Sequence, residues 1–268
     1  LRPPYHVRMI KPLTVLDLFS GIGGFSYAAE RLVGGFKTIA FCEPDGACQR
    51  VLNKHWPNTP VFPDVRTLSA EAVKELCPSG LSLVTAGFPC QDLSCAGKQL
   101  GYDGERSVLF YEIIRLAREL RPDFLLLENV RNLLSHQNGE TFQETLFQIA
   151  KAGYDAEWAV IPASDLGACH RRERIWIVAY ANNSRLQRQR TECELSESSG
   201  QRALTWCCGD SMLSPKWGGY ISKPVLCRGD DGLSHRVDRL KQLGNSIVPQ
   251  VAAIPLQRIK ELANLEAE

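Results

Sequence analysis

The stretch Val15-Leu16-Asp17-Leu18-Phe19-Ser20-Gly21-Ile22-Gly23-Gly24-Phe25 changes its period in the middle. The apolar run through Phe19 reads as a buried strand, Ser20 to Gly24 breaks it, and Phe25, Ala28, Ala29 and Leu32 then mark one helix face that Gly34-Gly35 ends. Strand, glycine turn and helix form the opening unit of a βαβ chain. Such a turn leaves backbone N–H groups at the carboxyl edge of the sheet, with no Cβ to hold a ligand away. The spacing of Gly21, Gly23 and Gly24 departs from G-x-G-x-x-G, so a dinucleotide pyrophosphate is not implied.

Working outward, Thr38–Cys42 reads as a second strand that stops at Glu43, followed by helical spacing from Asp45 to Lys54 with Pro57 beyond it. Leu81–Ala86 is a strand running into the turn sequence Gly87-Phe88-Pro89-Cys90-Gln91. A polar stretch with Gly97, Gly101 and Gly104 leads to a helix from Ser107 to Leu120. Phe124–Leu127 is an apolar strand ending at Glu128-Asn129, Arg174–Ala181 is another strand, and a helix runs from Val248 to about Leu265. The expectation is an α/β fold with a mostly parallel sheet flanked by helices.

The chain has 268 residues, 44% of them hydrophobic and 23% charged, enough for a substantial core and incompatible with disorder. With 31 Lys+Arg against 30 Asp+Glu, the net charge names no partner. Apolar runs are too short to span a bilayer, the N-terminus shows no secretory signal, and ten scattered cysteines lack framework spacing. The expectation is a reduced cytoplasmic protein without a membrane partner. The expected layout is an N-terminal extension over residues 1–13, a catalytic domain over 14–181, a small irregular lobe rich in Arg, Ser, Gly and Cys over 182–235, and a returning segment over 236–268. Cys193, Cys207, Cys208 and Cys227 match no familiar metal-ligand spacing, so no metal is expected, and Trp206, Trp217 and Tyr220 are expected to pack the lobe.

Chemistry-bearing residues gather at the strand ends. A carboxylate at Glu43 can accept both hydroxyls of a ribose, and Asp64, after Val61-Phe62-Pro63, can accept from an exocyclic amine; a plain tight turn and two solvated acids remain the alternative. Cys90 and Glu128 end neighbouring strands. A thiol and a carboxyl there suit addition of sulfur to an electron-poor ring with protonation of a ring nitrogen, although most such thiols are small buried hydrophobes. Arg172 and Arg174, two apart on a strand, can point together toward an anion or a carbonyl oxygen. Between Asp165 and Arg190 there are six arginines, namely Arg171, Arg172, Arg174, Arg185, Arg188 and Arg190, against Asp165 and Glu173; they form either a phosphate-binding surface or a solvated charged face.

The blocks Asp17–Phe25, Gly87-Phe88-Pro89-Cys90-Gln91, Glu128-Asn129-Val130, Arg172-Glu173-Arg174 and Gly244-Asn245-Ser246 stand in the order seen in DNA (cytosine-5) methyltransferases, which the chain resembles over Thr14–Tyr180 and Arg236–Arg258. The resemblance implies the Rossmann-like fold of S-adenosylmethionine-dependent methyltransferases. It implies S-adenosylmethionine as cofactor, with Phe19 against the adenine, Glu43 on the ribose and Asp64 with Val65 at the adenine edge. Gly21, Gly23, Gly24 and Gly87 complete the cofactor-facing set, and Asn245 and Ser246 close the pocket. It further implies Cys90 as nucleophile on C6 of a flipped-out cytosine, Glu128 as proton donor to N3, Arg174 on the base oxygen and Arg172 bracing Glu128 or a phosphate. Gln91, Ser94 and Arg106 are placed by it on DNA.

The expected partner is double-stranded DNA, bound by a monomer, with a cognate restriction endonuclease acting on the same site. The alternatives are a catalytically degenerate DNA-binding homologue and a tRNA cytosine-5 methyltransferase. The sequence departs from the family pattern at His170, where Gln is usual, at Ala96 in place of Ser, and in the shortened block before Gly244.

Overall fold

The computed structural model describes residues 11–88, 108–182 and 244–265. Seven strands form one sheet in the order β3-β2-β1-β4-β5-β7-β6: β1 Leu13–Leu18, β2 Phe36–Cys42, β3 Val61–Phe62, β4 Leu83–Gly87, β5 Phe124–Val130, β6 Tyr154–Pro162 and β7 Glu173–Ala181. All neighbours run parallel except β7, which is antiparallel to both β5 and β6. The doubly wound arrangement reverses direction beside β1, where β1 lies between β2 and β4, so the first turn opens at a switch point of the sheet.

Buried strands alternate between two apolar layers. Leu16, Leu18, Val84, Ala86, Leu125 and Leu127 join one core with residues of α3 (Ala70–Leu76), α4 (Val108–Leu120) and α5 (Glu140–Lys151). Val15, Leu83, Phe124, Leu126 and Trp176 join the other with α1 (Gly24–Tyr27) and α6 (Pro249–Leu265). The expected first helix is interrupted. After one α-turn it widens into a π-helical stretch over Ala28–Val33, ended by the Gly34 N–H to Ala29 carbonyl bond of 2.8 Å. Lys260 of α6 donates to the carbonyl of Val33 at 3.2 Å, which fixes the end of that stretch to the C-terminal helix.

Helix α2 (Gly46–His55) starts where expected because the Asp45 carboxylate accepts from the N–H groups of Ala47 and Cys48. Three elements have no counterpart in the sequence reading, namely α3, α5 and the edge strand β6. The expected lobe over 182–235 lies outside the described residues except for Asn182, as do Trp206, Trp217, Tyr220 and the four lobe cysteines. Among the described residues, no helix is long and apolar enough to cross a membrane, and no group of three or more potential metal ligands occurs.

Candidate active site

Asp17 sits at the carboxyl end of β1 on the α1 face, fully buried. Ser26 of α1 donates to its Oδ2 at 2.8 Å and Thr85 of β4 donates to its Oδ1 at 2.9 Å, so a single carboxyl ties two strands and a helix beneath the turn. Burial pushes its pKa up to about 7, against the pull of the two hydroxyl donors. Above it, the backbone coils through left-handed conformations at Phe19 (φ 54°), Gly21 (φ 53°) and Gly23 (φ 85°). Ser20 locks the turn by donating from Oγ to the Asp17 carbonyl at 2.5 Å, and its own carbonyl accepts from the Gly23 N–H at 2.8 Å.

Glu43 reaches the same turn from the end of β2. Its Oε2 accepts from the Gly21 N–H at 2.7 Å and its Oε1 from the Asp45 N–H at 2.9 Å. Two backbone donors thus orient the carboxylate toward the turn. A Cβ built at Gly21 would meet nothing within 4 Å, so space lies open in front of the turn. A fixed carboxylate beside an open glycine turn fits the ribose of a nucleoside cofactor such as S-adenosylmethionine. Asp64 is paired locally: Arg66 donates to it through Nε (3.0 Å) and Nη2 (2.7 Å), and those hydrogen bonds hold its carboxyl below the usual range. Val65 turns its side chain into the core at 3% exposure, and its carbonyl accepts from Nη2 of Arg115 at 3.2 Å.

The C-terminal segment packs on the turn. A Cβ on Gly24 would lie 2.6 Å from Cγ1 of Ile247, so only glycine admits that approach. Next to it opens a cavity of about 560 Å³ bounded by Ile22, Gly23, Gly24, Trp56, Ser246 and Ile247. Asn245 is exposed, and Ser246 is half-buried at the edge of this cavity.

Glu128 lies inside β5 rather than at its end, directly beside Gly87 of β4 and opposite Trp176 of β7. Gly87 has a structural reason to be glycine. A Cβ there would come to 3.3 Å from Oε2 of Glu128 and 3.7 Å from the Phe25 ring. Phe25 in turn meets Trp176 edge-on at 5.8 Å between ring centroids. Arg174 pairs with Glu128, Nε to Oε1 at 3.0 Å, with the Glu128 side chain 12% exposed. Burial pushes the Glu128 carboxyl above its ordinary range, while Arg174 and then Arg172 pull it part of the way back. A raised carboxyl takes up a proton more readily, and in that form it can serve as an acid.

Arg172 and Arg174 do not act as a matched pair. Strand β7 begins at Glu173, Arg172 has φ 31°, and its Nη2 donates to the carbonyls of Gly244 at 3.0 Å and Ser246 at 2.6 Å. Of the surrounding arginines, Arg171 and Arg131 both pair with Glu173, at 2.8 and 2.9 Å; Arg185, Arg188 and Arg190 lie outside the described residues, as do Cys90, Gln91, Ser94 and Arg106.

Two contributors escaped the sequence reading. Asp17 was visible as an acid inside an otherwise apolar strand. Asn129, 2% exposed, donates from Nδ2 to the Phe88 carbonyl at 3.5 Å and holds the exit of β4 next to Glu128.

The profile of C-5 cytosine-specific DNA methylases matches residues 13–205. The type II methyltransferase M.DsaV of Dactylococcopsis salina is 36% identical over 174 residues, which are 65% of this chain and 47% of that protein. M.HhaI of Haemophilus parahaemolyticus is 31% identical over 180 residues, covering 67% and 53%. A prophage-encoded DNA modification methyltransferase from E. coli superposes with a TM-score of 0.52 at 25% identity, covering 70% of this chain and 49% of that one. The chain therefore spans about half the length of the relatives it matches. By this match the chain belongs to the C-5 cytosine-specific DNA methylase family.

Proposed function

We propose that the chain transfers a methyl group from S-adenosylmethionine to C5 of cytosine in duplex DNA. The observation that carries this reading is the largely enclosed Glu128 carboxyl, paired with Arg174 and aligned with Gly87. Cys90 follows Gly87 by three residues, so covalent reach alone limits their Cα separation to about 11 Å. When bound, S-adenosylmethionine supplies an electrophilic methyl group.

The protein's part is to make C5 of cytosine nucleophilic. The Cys90 thiolate adds to C6 of the ring as Glu128 delivers its proton to N3, which moves the electron pair toward C5. Arg174 holds the base oxygen and keeps the resulting Glu128 carboxylate paired. After methylation a solvent base takes the C5 proton, elimination expels the Cys90 thiolate from C6, and the N3 proton returns to Glu128, which restores both groups. A ring atom at this depth is reached only if the base leaves the stack, so the substrate nucleotide is extruded from the duplex. Gln91, Ser94 and Arg106 are assigned to the DNA, and Phe19, Glu43, Asp64, Val65 and Ser246 to the cofactor. The type II methyltransferases among its relatives support a modification role, and the proposal includes a restriction endonuclease that cuts the same site when unmethylated.

The test supplies the full chain with methyl-labelled S-adenosylmethionine and either unmethylated duplex DNA or tRNA, followed by digestion to nucleosides. Label in 5-methylcytosine from the duplex is the expected result. Label from tRNA alone would replace the substrate, and cofactor binding without transfer to either would make the chain a non-catalytic homologue.

A further inference from the structure

We propose that Arg172 is a positioning residue that couples the cofactor side of the site to the Glu128–Arg174 side, by holding the segment 244–246 on the end of β7. The inference rests on the reading that S-adenosylmethionine binds at the glycine turn.

One guanidinium nitrogen of Arg172 bridges two carbonyls, those of Gly244 and Ser246, two residues apart in the chain. Ser246 borders the cavity beside the turn, and Ile247 fills the space that a side chain on Gly24 would need. In the other direction Arg172 precedes β7 by one residue, and two residues on, Arg174 holds Glu128 at 3.0 Å. A path therefore runs from the turn through Ile247 and Ser246 to Arg172, and from there along two residues of chain to Arg174 and its partner Glu128.

Arg172 occupies its place under strain. Its φ of 31° is unfavourable for a long side chain, its buried Nε has no partner among the described residues, and burial and then the charge of Arg174 disfavour its own charge, with Glu128 acting the other way. Its contacts with the two carbonyls hold it there against these penalties. A ligand that requires 245–246 in place and a base that requires Arg174 in place then draw on the same contact. Each should favour the binding of the other by the same factor. A lysine at this position keeps the charge but presents a compact ammonium in place of the rigid guanidinium fork.

The experiment is calorimetric titration of S-adenosylmethionine into the full chain, with and without cytosine-containing duplex DNA, for wild type, Arg172→Gln, Arg172→Lys and Ile247→Ala. In wild type the duplex should tighten cofactor binding. In Arg172→Gln the cofactor Kd should rise about tenfold and the effect of the duplex should fall to none, with partial recovery in Arg172→Lys. Ile247→Ala loosens the same segment from the other side and should also reduce the coupling, so the proposal stays testable if Arg172→Gln does not fold. Wild-type coupling retained in Arg172→Gln and Ile247→Ala would overturn the proposal while leaving the functional reading intact. A wild-type chain that binds no S-adenosylmethionine would overturn the functional reading itself.

Discussion

Replacing Asp17 with Asn should remove a pH dependence of stability that originates beneath the glycine turn. The carboxyl is fully buried between Ser26 and Thr85, and burial lifts its pKa from 3.8 to about 7. Between those values the folded state holds a proton that the unfolded state has released. Stability therefore falls as pH rises, and the loss is complete once pH exceeds the folded value. A rise of that size corresponds to about 4 kcal/mol in all, of which roughly 2 to 3 kcal/mol falls between pH 5 and pH 8. Asn cannot ionise, and the two hydroxyls can still bond to its amide by donating to the oxygen or accepting from the nitrogen. Urea unfolding of both proteins at pH 5 and pH 8 provides the comparison, because every other titrating group is shared. The wild type should lose about 2 to 3 kcal/mol more than Asp17→Asn over that interval. Equal losses in the two proteins would refute the idea that a neutral carboxyl ties β1, β4 and α1 together.

Glu128→Gln should lower methyl transfer by about 10² to 10⁴ while leaving S-adenosylmethionine binding measurable, as judged by single-turnover rates and titration. Because burial raises the Glu128 pKa, its acid function is present below that raised value and is lost above it. The wild-type rate should therefore carry an alkaline limb above the ordinary carboxylate range, and this limb should be absent from the variant. Gly24→Ala places a methyl 2.6 Å from the Ile247 side chain and should cost about 1 to 3 kcal/mol of stability, measured by denaturant unfolding. Adding Ile247→Ala should recover part of that loss if the steric contact is its cause.

The strand–turn–helix unit was legible because its apolar period changes sharply at Ser20, and Glu43 was legible because it ends a short buried strand. Glu128 and Arg174 meet although Glu128 lies within β5 and not at its end, because the antiparallel register sets Val130 opposite Arg174. Strand β6 was not legible. As an edge strand it lacks a clean two-residue alternation of burial, and it leaves Trp158 43% exposed. Helix α5 follows Gln137 and Asn138, both in left-handed conformations, and starts without a side-chain cap, so the usual start signal is missing.

Arg172 shows where period reasoning fails. Alternation placed it beside Arg174, but the strand begins one residue later, and a backbone twist sends its side chain to the 244–246 carbonyls. That contact joins residues more than seventy positions apart, and no local pattern encodes it. The state of Asp64 was hidden for the opposite reason. Its partner Arg66 is two residues away, and only the fold shows that the two side chains meet.

The proposed chemistry needs a thiol, a protonated carboxyl and a guanidinium acting on one pyrimidine, and covalent trapping tests this directly. The full chain is incubated with S-adenosylmethionine and duplex DNA containing 5-fluorocytosine, whose C5 fluorine cannot depart as the proton does. The products are separated under denaturing conditions and mapped by mass spectrometry. The mechanism predicts a stable protein–DNA complex that requires the cofactor, joins the DNA at Cys90 and vanishes in Cys90→Ser. Methylation of ordinary cytosine with no trapped complex, or a complex joined at another residue, would contradict it.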